Sequence, residues 1–195
     1  GRILDFDIGG GSFEFSTGTN ALPDAAMSVP LGAGRLTREF FDEQPPSPKQ
    51  VKRLRKYVRE QIAPVAENLL RYGAPDMTVG TSKTFRSLAR ICGAAPYSAG
   101  PHVKREMHLQ DLRLWTRRME AMTVSERGDL PGVSKARAEQ MLAGAIAAEA
   151  AMEAFGVETM RVCPWALREG LILKRIEHLA EGTGTPVNPK TLLGA

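Results

Sequence analysis

The sequence predicts an α/β fold, a mixed five-stranded sheet covered by helices, and three observations support this. The first thirty residues hold three short runs of strand character separated by glycine, asparagine and proline turns, which is a meander. Two later strands, at 77–80 and 159–163, each follow long segments of helical periodicity and so must be reached by crossovers. The 195 residues, 43% of them hydrophobic, suffice for one sizeable core, so one domain is expected.

The elements follow in order. Ile3-Leu4-Asp5-Phe6 enters Asp7, passes Ile8-Gly9-Gly10-Gly11 and leaves by Ser12-Phe13-Glu14-Phe15, which reads as strand, tight turn, strand. Glycines there permit φ > 0 and close approach of a ligand, so that several N–H groups can converge on an anion; a ligand-free glycine turn is the alternative. The dinucleotide fingerprint does not apply, because its second and third glycines are missing and a strand follows where a helix should. Residues 27–31 form the third strand, and 32–41 a loop opening a short helix that carries Arg35 and Arg38. Either arginine can be solvated or paired with a carboxylate.

Ser47 is placed as an N-cap with Pro48 at the first helical position, and Val51, Leu54, Val58, Ile62, Val65 and Leu69 follow at helical spacing until Gly73. Pro64 should kink or divide this helix. Its other face, with Lys49, Lys52, Arg53, Lys56 and Arg59, is either simply solvated or able to guide a polyanion. The fourth strand ends at Gly80 and runs through Thr81-Ser82-Lys83-Thr84 into a helix. Such a junction is a natural anion site, because free N–H groups and the helix dipole favour negative charge there; a plain N-capped helix is the alternative. Lys83 adds a phosphate contact or projects into solvent. Residues 92–104 read as a loop, and a helix from Leu109 buries Leu112, Trp115, Met119 and Met122. A polar turn spans 125–132. Ser134 caps an Ala-rich helix running to Gly156 that reads as the centre of the domain. The last strand, 159–163, is followed by a closing helix over 166–179, with Arg168 and Glu169 at its start, and a loose tail over 181–195.

Composition narrows the function weakly. A net charge of +4 and a pI near 9.3 suit an acidic substrate without demanding one. Cys92 and Cys163 lack metal-ligand spacing and read as free thiols in a reducing compartment; His102 and His108, six apart, match no zinc pattern. No apolar run reaches membrane-spanning length and no signal peptide opens the chain, so a cytoplasmic protein with no membrane and no nucleic-acid partner is expected.

Asp7-Ile8-Gly9-Gly10-Gly11-Ser12-Phe13-Glu14 resembles the second phosphate motif of the exopolyphosphatase and guanosine pentaphosphate phosphohydrolase (Ppx/GppA) family, a branch of the actin, hexokinase and Hsp70 ATPase superfamily. Leu31-Gly32-Ala33-Gly34-Arg35-Leu36-Thr37, Gly80-Thr81-Ser82-Lys83-Thr84, Leu130-Pro131-Gly132-Val133 with Arg137-Ala138-Glu139, and Leu167-Arg168-Glu169-Gly170 match in family order. Phe13, where the family commonly has threonine, and Lys83, where it often has glycine, depart from the pattern. The resemblance implies a ribonuclease-H-like domain with helices on both faces of its sheet. It further implies that residues 1–180 are the second domain of a catalytic pair whose upstream domain is absent. Asp7 and Glu14 would hold Mg²⁺ and position the water; Gly9, Gly10, Gly11 and Ser12, with Gly80, Thr81, Ser82 and Arg35, would bind phosphate. The substrate would be inorganic polyphosphate or guanosine pentaphosphate, with the missing domain supplying the base and the isolated chain inactive. A non-catalytic polyphosphate- or nucleotide-binding module is the alternative, and homodimerisation through an exposed edge is a further expectation.

Overall fold

The computed structural model describes residues 1–100, 102–163 and 175–176. The expected closing helix with Arg168 and Glu169, and the tail over 181–195, fall outside the described residues. A compact unit spans Gly1–Pro164.

The meander forms as expected: β1 (Ile3–Ile8), β2 (Phe13–Gly18) and β3 (Ala25–Val29) are antiparallel neighbours, and Phe6 stands opposite Phe15 while Asp7 stands opposite Glu14. After α1 (Ala33–Phe40) and α2 (Pro48–Leu70), β4 (Met77–Gly80) returns parallel to β1; after α3 (Lys83–Ile91) the chain reaches β5 (Glu106–His108). Then α4 (Leu109–Glu120), the short α5 (Val124–Gly128) and α6 (Met141–Ala154) lead to β6 (Thr159–Val162), parallel to β4. The order across the sheet is β3-β2-β1-β4-β6-β5.

The sheet therefore has six strands and not five. The additional one, β5, is three residues long and pairs antiparallel with β6 at the sheet edge. Three residues, one a glutamate and one a histidine, are too few to show a period-2 pattern, so only the pairing reveals the strand.

Local chemistry explains the helix boundaries. Ser47 and Gln50 form a reciprocal capping box at the start of α2, with Pro48 at its first position. Pro64 does not divide the helix, which runs unbroken over 23 residues. Pro64 lies on the exposed side, where water can take the hydrogen bond its missing N–H leaves unmade. The stretch read as a polar turn holds α5, closed by a second capping box between Thr123 and Glu126. Ser134 precedes a 3-10 turn at Lys135–Arg137, and α6 itself starts later, at Met141.

Packing centres on α6, whose residues from Met141 to Met152 are all buried and which touches α1, α2, α3 and α4. Small side chains let these elements close in: a Cβ on Gly144 would lie 2.8 Å from Thr84 Cγ2 and 3.3 Å from Ala33 Cβ. On the sheet, alternation sends Leu4, Phe6, Ile8, Phe13 and Phe15 to the core face. Phe6 stands at the centre of an aromatic cluster, with ring centroids 5.8 Å from Phe13, 5.2 Å from Phe15, 6.3 Å from Phe85 and 5.2 Å from Phe155. Phe85 on α3 and Phe155 at the end of α6 thereby fix this face as the one that the described helices cover. The opposite face carries Asp5, Asp7, Glu14, Ser16 and Ser28 in adjacent register, so coverage of both faces is met on one face among the described residues.

Replacing Phe6 with Ala should remove the shared neighbour of four rings and cost about 3–5 kcal/mol of stability in urea or thermal unfolding.

Candidate functional site

The parallel strands β1, β4 and β6 end on one edge of the sheet, and the glycine turn 9–12 and the β4–α3 junction emerge there. The turn closes on itself through a hydrogen bond from Gly9 N to Ser12 O at 2.9 Å. Its outer carbonyls are taken by the first turn of α1: Ala33 N donates to Gly9 O at 3.0 Å and Arg35 N to Gly10 O at 2.9 Å. The N–H groups of Gly10, Gly11 and Ser12 donate to no partner among the described residues. With its acceptors tied back and its donors released, the turn has the polarity that an anion-binding loop requires.

Positive φ is not what the turn asks of its glycines. None of Gly9, Gly10 and Gly11 has positive φ, contrary to expectation. A Cβ on Gly10 or Gly11 would meet nothing within 4 Å, so their bareness leaves the outer side of the turn open to an incoming group. Behind the turn the reverse holds: a Cβ on Gly32 would lie 2.4 Å from Gly11 N, Gly11 C and Ser12 N. Gly32 therefore sets how closely α1 can approach.

The carboxylates line the adjoining open face. Asp7 accepts from Thr81 Oγ1 at 3.1 Å, and Glu14, opposite Asp7 in the sheet, accepts from Ser28 Oγ at 3.0 Å. Burial raises the Asp7 carboxyl above its usual range; the Thr81 hydrogen bond opposes this, the charge of Glu14 adds to it, and Arg86 opposes it again. Asp5, two residues back on the same face and absent from the sequence-based site, is pushed up to about 6, first by burial and then by the charge of Asp7. Its Oδ1 is buried without a hydrogen-bond partner. The period of two in β1 was the available signal, since it must place Asp5 beside Asp7.

The other expected residues divide by role. Thr81 holds Asp7, and Thr84 donates from Oγ1 to Ile8 O at 3.0 Å, locking α3 against the end of β1. Ser82 is buried and spends its hydroxyl accepting from Phe85 N as the N-cap of α3. Gly80 is not at the cradle: it is buried in β4, where a Cβ would lie 2.8 Å from Phe85 Cγ and 3.1 Å from Met160 Sδ. Arg35 reaches the turn through its main chain, while its Nε pairs with Glu39 Oε1 at 2.8 Å. Lys83 is exposed. Phe13 is fully buried and stacks on Phe15 at 4.0 Å, so this departure from the motif faces the core and leaves the cradle untouched.

No three acidic, histidine or cysteine side chains among the described residues gather as a metal-enclosing group. Asp7 and Glu14 nonetheless fit Mg²⁺, which takes one or two carboxylates and keeps water or substrate oxygens in its remaining positions.

The chain is similar to known proteins over most of its length. Residues 1–179 match the model of the Ppx/GppA phosphatase family. The chain is 49% identical over 183 residues to Exopolyphosphatase 1 of Mycobacterium leprae, covering 94% of this chain and 54% of that protein. It is 50% identical over 183 residues to Exopolyphosphatase 1 of Mycobacterium tuberculosis, covering 94% and 53%. Among solved structures, the Aquifex aeolicus member of the Ppx/GppA family superposes with a TM-score of 0.80 at 27% identity, over 93% of this chain and 57% of that one. The chain thus spans about half the length of the relatives it matches.

Two outcomes follow from the site. Gly32→Ala forces a methyl into backbone that cannot yield, and should cost about 2–3 kcal/mol in thermal or urea unfolding. The raised Asp5 carboxyl holds its proton more tightly in the folded state than in the unfolded one. Its effect is therefore most favourable below the unfolded value, and stability falls as pH rises through about 4 to about 6. In chelator-containing buffer, Asp5→Asn should flatten this fall and exceed the unsubstituted chain at neutral pH by about 2 kcal/mol.

Proposed function

The chain belongs to the Ppx/GppA phosphatase family, and from this premise we propose that it forms one half of a cleft that removes the terminal phosphoryl group from inorganic polyphosphate or from guanosine pentaphosphate. The single observation that carries the reading is the polarised turn, with the amides of Gly10, Gly11 and Ser12 free and the carbonyls of Gly9 and Gly10 held by α1. Free amides held in place by their own peptides can stabilise the charge on transferring phosphoryl oxygens without having to reorganise. Relatives of about twice this length that are named exopolyphosphatases supply the substrate class.

In this reading Asp7 and Glu14 hold Mg²⁺, which when bound would neutralise phosphate charge. Thr81 fixes the rotamer of Asp7 by donating to it, and Ser28 does the same for Glu14. The cradle amides orient the terminal phosphoryl group with its leaving oxygen directed away from the turn. In this reading the group that activates water belongs to the other half of the cleft. The segment described here is then the second domain of the pair.

The decisive experiment measures orthophosphate release from polyphosphate and from guanosine pentaphosphate, with Mg²⁺, by this chain and by a form extended to the length of its relatives. The extended form should be active and the chain alone inactive, and Asp7→Asn in the extended form should lower the rate by about two orders of magnitude, a loss of roughly 3 kcal/mol of transition-state stabilisation. Metal-dependent release by the chain alone would refute the half-site. Ligand binding without turnover in the extended form would make it a binding module.

A further inference from the structure

Arg38 stands one helical turn after Gly34, on the last turn of α1. Side chains on a helix lean toward its N-terminus and cover the residue four places earlier, so Arg38 lies over Gly34. The space left by the missing Gly34 side chain is shared by three groups. A Cβ built there would lie 3.0 Å from Gln140 Oε1, 3.2 Å from Gly10 O and 3.5 Å from Arg38 Nη1. The guanidinium of Arg38 is thereby brought beside the glycine turn, with the Gln140 carboxamide, at the entry to α6, next to it.

The two arginines of α1 differ in their commitments. Arg35 pairs with Glu39, which draws its guanidinium toward the C-terminal end of the helix. Arg38 is exposed and makes no hydrogen bond or ion pair among the described residues. Sequence reasoning favoured Arg35 because it stands in the family motif; the geometry favours its neighbour one turn on.

We propose that Arg38 is a side-chain cation at the rim of the cradle, reaching from the α1 side past the Gly10 carbonyl to phosphate oxygens of a polyphosphate chain held at the Gly10-Gly11-Ser12 amides. This rests on the reading of the turn as a phosphate cradle. The planar guanidinium suits two oxygens of one phosphate, and the bare Gly34 keeps its path along the helix open.

The test is titration of this chain with inorganic polyphosphate, following the amide resonances of Gly10 and Gly11. In the unsubstituted chain these resonances should shift. Arg38→Ala should bind about tenfold more weakly, as expected for one charge-assisted hydrogen-bonding group, with an unchanged melting temperature. Arg38→Lys should recover part of the loss by keeping the charge, and Arg35→Ala should stay within about twofold, as expected of an exposed paired residue. Shifts at the turn with Arg38→Ala binding as tightly as the unsubstituted chain would overturn the role of Arg38 and leave the cradle standing. Absence of any shift at the turn in the unsubstituted chain would overturn the cradle, and the role of Arg38 with it.

Discussion

The site depends on one reciprocal arrangement: the N-terminus of α1 has N–H groups without intrahelical acceptors, and the glycine turn has carbonyls without donors. Each satisfies the other, through Ala33 N to Gly9 O and Arg35 N to Gly10 O. Because those carbonyls face the helix, the amides of the same peptides face the open side. The arrangement requires the backbones to come closer than any side chain allows, and Gly32 provides that closeness. The turn is thus held in one polarity by the first turn of α1.

The rest of the fold serves to keep α1 in that place. The buried α6 meets α1 at Ala33 and α3 at Thr84 across the single bare position of Gly144, and Thr84 in turn grips the Ile8 carbonyl at the end of β1. The turn is therefore braced on both flanks, by α1 directly and by α3 through the strand that leads into it. Farther down α6, Glu149 is buried against Arg55, which also reaches Glu120, so three helices share one ion-paired node. A buried node of this kind adds little net stability, because desolvation offsets the attraction, but it penalises any other relative placement of the three helices.

Opposite the core, the sheet is under electrostatic tension. Asp5, Asp7 and Glu14 share one face of adjacent strands, and burial and mutual repulsion raise the first two. A face so arranged gains from a bound cation what it lacks in paired side chains. Asp7, Glu14 and the glycine turn lie at the same end of the same hairpin, so in the proposed function a cation on the carboxylates would stand within reach of a polyanion at the turn. That is the arrangement phosphoryl transfer needs, since most of its catalysis is positioning and charge neutralisation.

The periodicity and capping signals of the sequence determined most of the fold. Alternation placed β1 and β2, Ser47 and Pro48 started α2, and the Ala-rich run announced a buried central helix, because each of these is set by contacts within a few residues. The glycine motif likewise located the turn and the facing pair Asp7 and Glu14. Tertiary structure decided what those residues do. The glycines of the turn lack positive φ, Gly80 is packed against Phe85, Ser82 is a cap, Arg35 is committed to Glu39, and Arg38 is free beside the Gly10 carbonyl. The strand β5 exists only through its pairing with β6. These outcomes rest on which distant backbone or side chain lies within a few ångströms, and residues such as Gly34, Gly10 and Gln140 come together only when the chain has folded, so no local pattern could announce them.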